Sequence, residues 1–169
     1  MDGSVLIRDA YPEELAEIGD IRVAAYQADG FLAPDSGYAQ RLRELGSNRL
    51  GPVLVAVGHE HGPILGTVML LPWPHAGSLV TEPGEAEIRA LAVRPDARGA
   101  GVGRTLLAMI IDRAGRESVR HLLLSTQSDM KAARHLYEEA GFTRLADRDW
   151  SPEPGVALLA YGLRLAGRE

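Results

Sequence analysis

Between Val93 and Ala114 the chain places Arg98-Gly99-Ala100-Gly101-Val102-Gly103-Arg104, three glycines at alternate positions with an arginine on either side. Glycine lets backbone N–H groups turn outward and come close to a ligand. Leu106, Leu107, Ile110, Ile111 and Ala114 follow at helical spacing, so the loop opens a helix. A helix N-terminus adds donors without helical partners and a partial positive charge. The two arginines add fixed cations. Together these groups form an anion site suited to phosphate. A tight turn is the plainer alternative, but it needs neither three alternating glycines nor flanking arginines. A second grouping, His59-Glu60-His61, has metal-ligand residue types. It sits at a hairpin tip with no third ligand placed by the sequence, and reads as a solvated turn with no metal.

The elements that position the glycine loop can be read in chain order. Val5 to Arg8 is a short strand. Pro12 opens a helix, with Glu13 and Glu14 favourable near its N-terminus, and Leu15, Ile18, Ile21 and Ala25 marking one face up to Gly30. Ala33 to Arg49 is a weaker helical stretch broken by Gly37 and closed by Gly46. Pro52–Gly58 and Pro63–Leu71 form a hairpin, and a Pro/Gly-rich loop runs to Gly84. Glu85 to Val93 is the strand that feeds the glycine loop. Arg120 to Thr126 is another strand. Lys131 to Ala140 is a helix with Tyr137 on its apolar face and Gly141 as its stop. Phe142 to Leu145 begins a strand, Asp147 to Gly155 is a polar loop carrying Trp150, and Val156 to Leu165 is the last strand. The order β-α-α-β-β-β-α-β-α-β-β, about seven strands and four helices, describes one mixed α/β domain over residues 1–169.

Composition narrows the function. With 169 residues the chain can bury a full core. A net charge of −5 gives no general case for nucleic-acid or membrane binding. No cysteine is present, which excludes disulfides, thiolate metal ligands and a cysteine nucleophile. With no secretory signal pattern and no apolar run approaching 18 residues, the expectation is a cytoplasmic protein.

Two common phosphate loops can be tested by spacing. The dinucleotide fingerprint needs G-x-G-x-x-G, and here Arg104 stands in place of the third glycine. A Walker A loop needs Gly-Lys-Ser/Thr, and the only lysine is Lys131. The stretch resembles the coenzyme A loop of the GNAT acyltransferases, Arg/Gln-x-x-Gly-x-Gly/Ala. Ile88-Arg89-Ala90-Leu91-Ala92-Val93-Arg94-Pro95 is similar to that family's fourth strand and turn. Ala133-Arg134-His135-Leu136-Tyr137-Glu138-Glu139-Ala140-Gly141-Phe142 resembles its A-x-x-L-Y-x-x-x-G-F block. One departure is Met130, where the family often carries Asn; Ser128 or Asp129 would substitute for it.

The resemblance implies a mostly antiparallel central sheet flanked by helices, acetyl-CoA as co-substrate, and direct transfer of its acetyl group to an amine. Gly99, Ala100, Gly101, Val102, Gly103 and Arg104 would then meet the pyrophosphate, mainly through backbone N–H groups. Arg98 would order the loop or touch phosphate. The backbone of Leu91, Ala92 and Val93 would pair with pantetheine and polarise the thioester. An alkyl amine of pKa about 10.4 is neutral only about once in a few thousand molecules at pH 7, so a base is useful. Glu87, roughly 20 Å along an extended strand from Val93, resembles the family's base, with Glu85 the runner-up. An Arg-paired structural carboxylate is the other reading of Glu87, with Arg89 or Arg120 as partner. By alternation Glu85, Glu87, Arg89, Leu91 and Val93 share a face. Tyr137 would serve as acid toward the leaving thiolate, with core packing as its alternative role. Tyr26, Phe31, Trp73, Trp150 and the 147–153 loop are candidate acceptor walls. The partner is a small-molecule or peptide amine, and exposed Trp73 and Trp150 loops could serve a homodimer. A non-catalytic acyl-CoA-binding module remains the alternative to an enzyme.

Overall fold

The computed structural model describes residues 5–30, 37–45, 51–74 and 79–166. Pro12 starts a 3-10 turn, Pro12–Glu14, that runs into α1, Leu15–Ala28. Glu14 holds the turn: its carboxylate accepts the Tyr11 N–H at 2.8 Å and both Arg8 Nη atoms at 2.8 and 2.9 Å. Helix α2 spans Gly37–Glu44. The rest of the helical stretch expected there, 33–36 and 46–49, lies outside the described residues, as does Phe31. Buried Arg22 of α1 ties the two helices, donating through Nη1 to the Leu42 and Leu45 carbonyls at 3.0 and 2.7 Å. Burial pulls its guanidinium down to about 10.

The strands are β1 Leu6–Asp9, β2 Val53–Val57, β3 Ile64–Pro72, β4 Glu85–Val93, β5 His121–Gln127, β6 Thr143–Arg144, β7 Trp150–Glu153 and β8 Val156–Arg164. Helix α3, Val102–Arg116, links β4 to β5, and α4, Lys131–Glu139, follows β5. Hydrogen-bonded neighbours run β1-β2-β3-β4-β5-β8-β6, with β7 also on β8. The β1–β2, β2–β3, β5–β8, β6–β8 and β7–β8 pairs are antiparallel. Strands β4 and β5 are parallel, Glu85 opposite His121 and Glu87 opposite Leu123, a pairing that the α3 crossover permits. The mixed, mostly antiparallel α/β expectation holds, with eight strands among the described residues rather than about seven. The extra one is β7, where a polar loop was expected. Trp150 pairs opposite Leu158 and Glu153 opposite Val156. Among the described residues β7 pairs with β8 alone, which makes it an edge strand.

Contacts gather into two compact units, Met1–Leu70 with Ala90–Ile110, and Leu71–Arg89 with Ile111–Glu169. In the first, Ile18, Ile21 and Ala25 of α1 pack on Val55, Val57, Ile64 and Ala92. In the second, Leu79, Val80, Leu123 and Ala160 form a cluster, with Leu145 and Trp150 against it. Removing a large aliphatic side chain from water contributes about 1.5–3 kcal/mol, enough for these clusters to fix the backbone around the candidate residues. Trp150 is therefore not the exposed ring expected, since its indole N–H is buried. Trp73 is exposed as expected. Among the described residues no helix is long and apolar enough to cross a membrane.

Candidate active site

The glycine loop is built in the first unit. At the end of β4 the Arg94 N–H donates to the Leu65 carbonyl of β3 at 2.8 Å, and a 3-10 turn, Pro95–Ala97, follows. Arg98 is extended, Gly99 and Gly101 have φ of 90° and 78°, and α3 begins at Val102. That left-handed backbone is costly for any residue with a Cβ. The Thr105 N–H reaches the Gly101 carbonyl at 3.0 Å, closing the first helical turn. The N–H groups of Val102 and Gly103 precede that bond and have no helical carbonyl to meet. No acidic side chain stands in this first turn. Ala100, Gly101 and Arg104 are exposed and Gly103 is half-buried, whereas Val102 is buried.

Gly66 of β3 sets the helix close to the sheet. A Cβ there would lie 2.9 Å from the Ala92 carbonyl oxygen, 3.0 Å from Leu106 Cδ1 and 3.1 Å from Val102 Cγ1. The missing side chain thus brings together the backbone of Leu91–Val93 and the start of α3. Leu91 and Val93 are half-buried and Ala92 is buried. Ala90 takes φ 55°, which breaks the pleat in mid-strand. The expected alternation of Glu85, Glu87, Arg89, Leu91 and Val93 on one face fails at this residue.

The carboxylates lie in the second unit. Glu87 is 1 % exposed. Its Oε1 accepts the Leu79 N–H at 2.8 Å and its Oε2 accepts Arg89 Nε at 2.8 Å. Of the two expected cationic partners, Arg89 is the one it meets. Glu85 is also buried. It accepts the Thr81 N–H and hydroxyl at 2.8 and 3.2 Å and both Arg148 Nη atoms at 3.1 and 2.6 Å. His121 Nδ1 lies 3.4 Å away. Burial opposes the Glu85 charge, but the guanidinium and the Thr81 donors outweigh it and hold the carboxyl at about 2. Burial and the Arg164 charge keep the His121 imidazole below its ordinary value.

Tyr137 projects inward from α4, as the helical pattern predicted, and its ring meets Phe142 edge-on at 6.1 Å and 64°. Burial pushes its hydroxyl up to about 12. Among the described residues that hydroxyl has no hydrogen-bond partner, and no hydrogen bond joins Tyr137 to Glu87. Met130 caps α4 without a side-chain hydrogen bond to the helix, and its sulfur accepts the Thr126 hydroxyl at 3.3 Å. The Ser128 carbonyl is taken by Arg134 Nη1 at 2.8 Å.

Arg98, expected either to order the loop or to touch phosphate, points toward α1. Its Nη1 donates to Asp29 Oδ1 at 2.5 Å and its Nη2 to the Ala25 carbonyl at 3.2 Å. Sequence reasoning missed Asp29, Leu79, Thr81 and Arg148. Each meets its partner through folding across 4 to 69 residues, and no local spacing signals it.

Comparison with known proteins gives a match to the acetyltransferase (GNAT) family over residues 15–142. A mycothiol acetyltransferase from Cellulomonas flavigena is 33% identical over 106 residues, covering 61% of this chain and 30% of that protein. The chain thus spans less than a third of that relative's length. An uncharacterized N-acetyltransferase of Schizosaccharomyces pombe is 30% identical over 129 residues, covering 76% of this chain and 74% of the relative. A structure from Salmonella typhimurium with its cofactor acetyl-CoA superposes with a TM-score of 0.71 at 24% identity, covering 98% of this chain and 96% of that one.

Proposed function

The chain belongs to the acetyltransferase (GNAT) family, whose co-substrate is acetyl-CoA, and from that premise we propose that it transfers the acetyl group of acetyl-CoA to a primary amine by direct attack. The observation that carries the reading is the 98–104 loop. It combines left-handed Gly99 and Gly101, helix donors without carbonyl partners at Val102 and Gly103, and no nearby acid in the first turn of α3. Backbone donors of this kind take the pyrophosphate. The backbone of Leu91, Ala92 and Val93 takes the pantetheine arm and polarises the thioester carbonyl.

The chemistry then needs two proton movements. The attacking amine gives up a proton as its C–N bond forms, and the thiolate released as the C–S bond breaks takes one up from solvent. Glu87 receives the first through an intervening water, its carboxylate held in place by Arg89 and the Leu79 N–H. Glu85 is the poorer base: held at about 2, it has little affinity for a proton near neutral pH. Tyr137 serves the sulfur. With its hydroxyl raised to about 12, the side chain stays protonated across the working range. A thiol has an ordinary pKa of about 8.5, so the phenol stabilises the thiolate chiefly by hydrogen bonding.

Thiol release from acetyl-CoA over a panel of small primary amines and peptide N-termini tests this reading. Tyr137→Phe should lower kcat about 100-fold while the KM for acetyl-CoA stays within about twofold. Coenzyme binding without turnover on any amine would instead identify a non-catalytic acyl-CoA-binding module.

A further inference from the structure

The loop's glycines have open space beside them. A Cβ at Gly99 or at Gly101 would meet nothing within 4 Å. Side-chain packing around these two residues therefore does not select their backbone, and the loop depends on its two ends. One end is buried Val102, close against Gly66. The other is Arg98, whose side chain leaves the loop and reaches the C-terminal end of α1.

The contact at α1 is unusual in its charge. Asp29 is the C-terminal cap of that helix, where the helix dipole disfavours a negative side chain. Its N–H bonds to the Gln27 carbonyl, and Arg98 Nη2 supplies a donor to Ala25, one of the last carbonyls of the helix. The guanidinium thus neutralises a misplaced carboxylate and caps a helix end with one fork, joining residues 69 apart in the chain. A cation spent this way is directed at α1 rather than at a phosphate.

We propose that Asp29 is a positioning residue for the coenzyme loop: by holding the Arg98 guanidinium on α1 it fixes the start of the loop, so that the pyrophosphate is met by backbone N–H groups of residues 99–104. This inference rests on the reading of that loop as the coenzyme site. Asp29 touches no reacting atom and acts through Arg98. Removing the carboxylate leaves the arginine, and with it the loop entrance, held by the Ala25 contact alone.

The experiment is a set of coenzyme A titrations on the full chain carrying Asp29→Asn, Arg98→Met, both, or Asp29→Glu, with turnover and melting measured alongside. An exposed ion pair carries a modest energy, so Asp29→Asn should weaken binding about fivefold. Asp29→Glu should recover most of the loss. The double variant should bind no more weakly than Arg98→Met alone. The KM for acetyl-CoA should follow the binding, while kcat at saturating coenzyme and the melting temperature hold. Tighter binding by Asp29→Asn would make Arg98 a phosphate ligand that Asp29 restrains, and would overturn the proposal. So would unchanged binding, a loss in the double variant beyond that of Arg98→Met, or a fall in kcat matching the fall in affinity. Wild-type chain that binds no coenzyme A would overturn the reading of the loop, and this inference with it.

Discussion

Two regions handle negative charge in opposite ways. The 98–104 loop presents backbone N–H groups from an exposed turn and a helix end, with no acidic side chain in the first turn of α3. The pocket around Glu85 already contains its anion: the carboxylate is buried and takes two guanidinium contacts and two from Thr81. An arginine stands in each, but the two are used differently. Arg148 compensates a charge in the interior, whereas Arg98 joins half-exposed Asp29 at a helix end. A donor set built from main chain can wait for a ligand at little cost. A buried carboxylate must be satisfied as the protein folds.

Removing each arginine should separate the two most widely. Arg148→Met leaves Glu85 buried with its main counter-charge gone and should cost about 3 kcal/mol of stability, read by denaturant unfolding. Coenzyme affinity should stay close to wild type. Arg98→Met should cost less than about 1 kcal/mol and show itself in coenzyme binding. Equal losses of stability would erase the distinction.

Acid sharpens the same contrast. The folded Glu85 carboxyl, at about 2, lies below its ordinary value of 4.5. Its contribution is fully present above about 4.5 and is lost as pH falls toward 2. His121 is also held below its ordinary 6.5, so protonation of the unfolded chain begins a smaller loss below that pH. Unfolding followed against pH should show a shallow decline below 6.5 and a steep one below 4.5. Arg148→Met should flatten the steep part, and Arg98→Met should leave it in place.

Within the loop itself the expected effect is smaller than that of Arg148→Met. Gly101→Ala places a Cβ at φ 78°, which costs about 1–2 kcal/mol. Open space lies beside the new methyl, so strain is the whole penalty. The chain relieves it by turning the N–H groups away, and coenzyme affinity should drop by about tenfold with the melting temperature lowered by only a few degrees. Unchanged affinity would mean that the loop's backbone is not what the ligand meets.

The same difference decides how much the sequence disclosed. The loop was legible because a left-handed turn and a helix start leave a local mark, Gly99 and Gly101 followed by Leu106, Leu107 and Ile110 at helical spacing. Tyr137 was legible as an inward-facing residue for the same reason. The carboxylates were not. Glu85 and Glu87 could be named, but Arg148 lies 63 residues from its partner, and the Leu79 N–H belongs to a backbone that any residue would supply. Ala90 bends β4 without glycine to announce it, and so defeated the expectation of one shared face. Strand β7 was hidden because Ser151-Pro152-Glu153-Pro154 reads as loop, and its pairing depends on β8. Trp150 packs against the Leu79–Ala160 cluster, a tertiary contact that no local pattern in the sequence marks.

The central claim is that acetyl-CoA is held at its pyrophosphate by the main chain of the glycine loop. Backbone amide NMR of the full chain titrated with coenzyme A tests it most directly. The amides of Gly99 to Arg104 should show the largest shifts, and those of Leu91 to Val93 should follow. Saturable binding with these amides unmoved would contradict it.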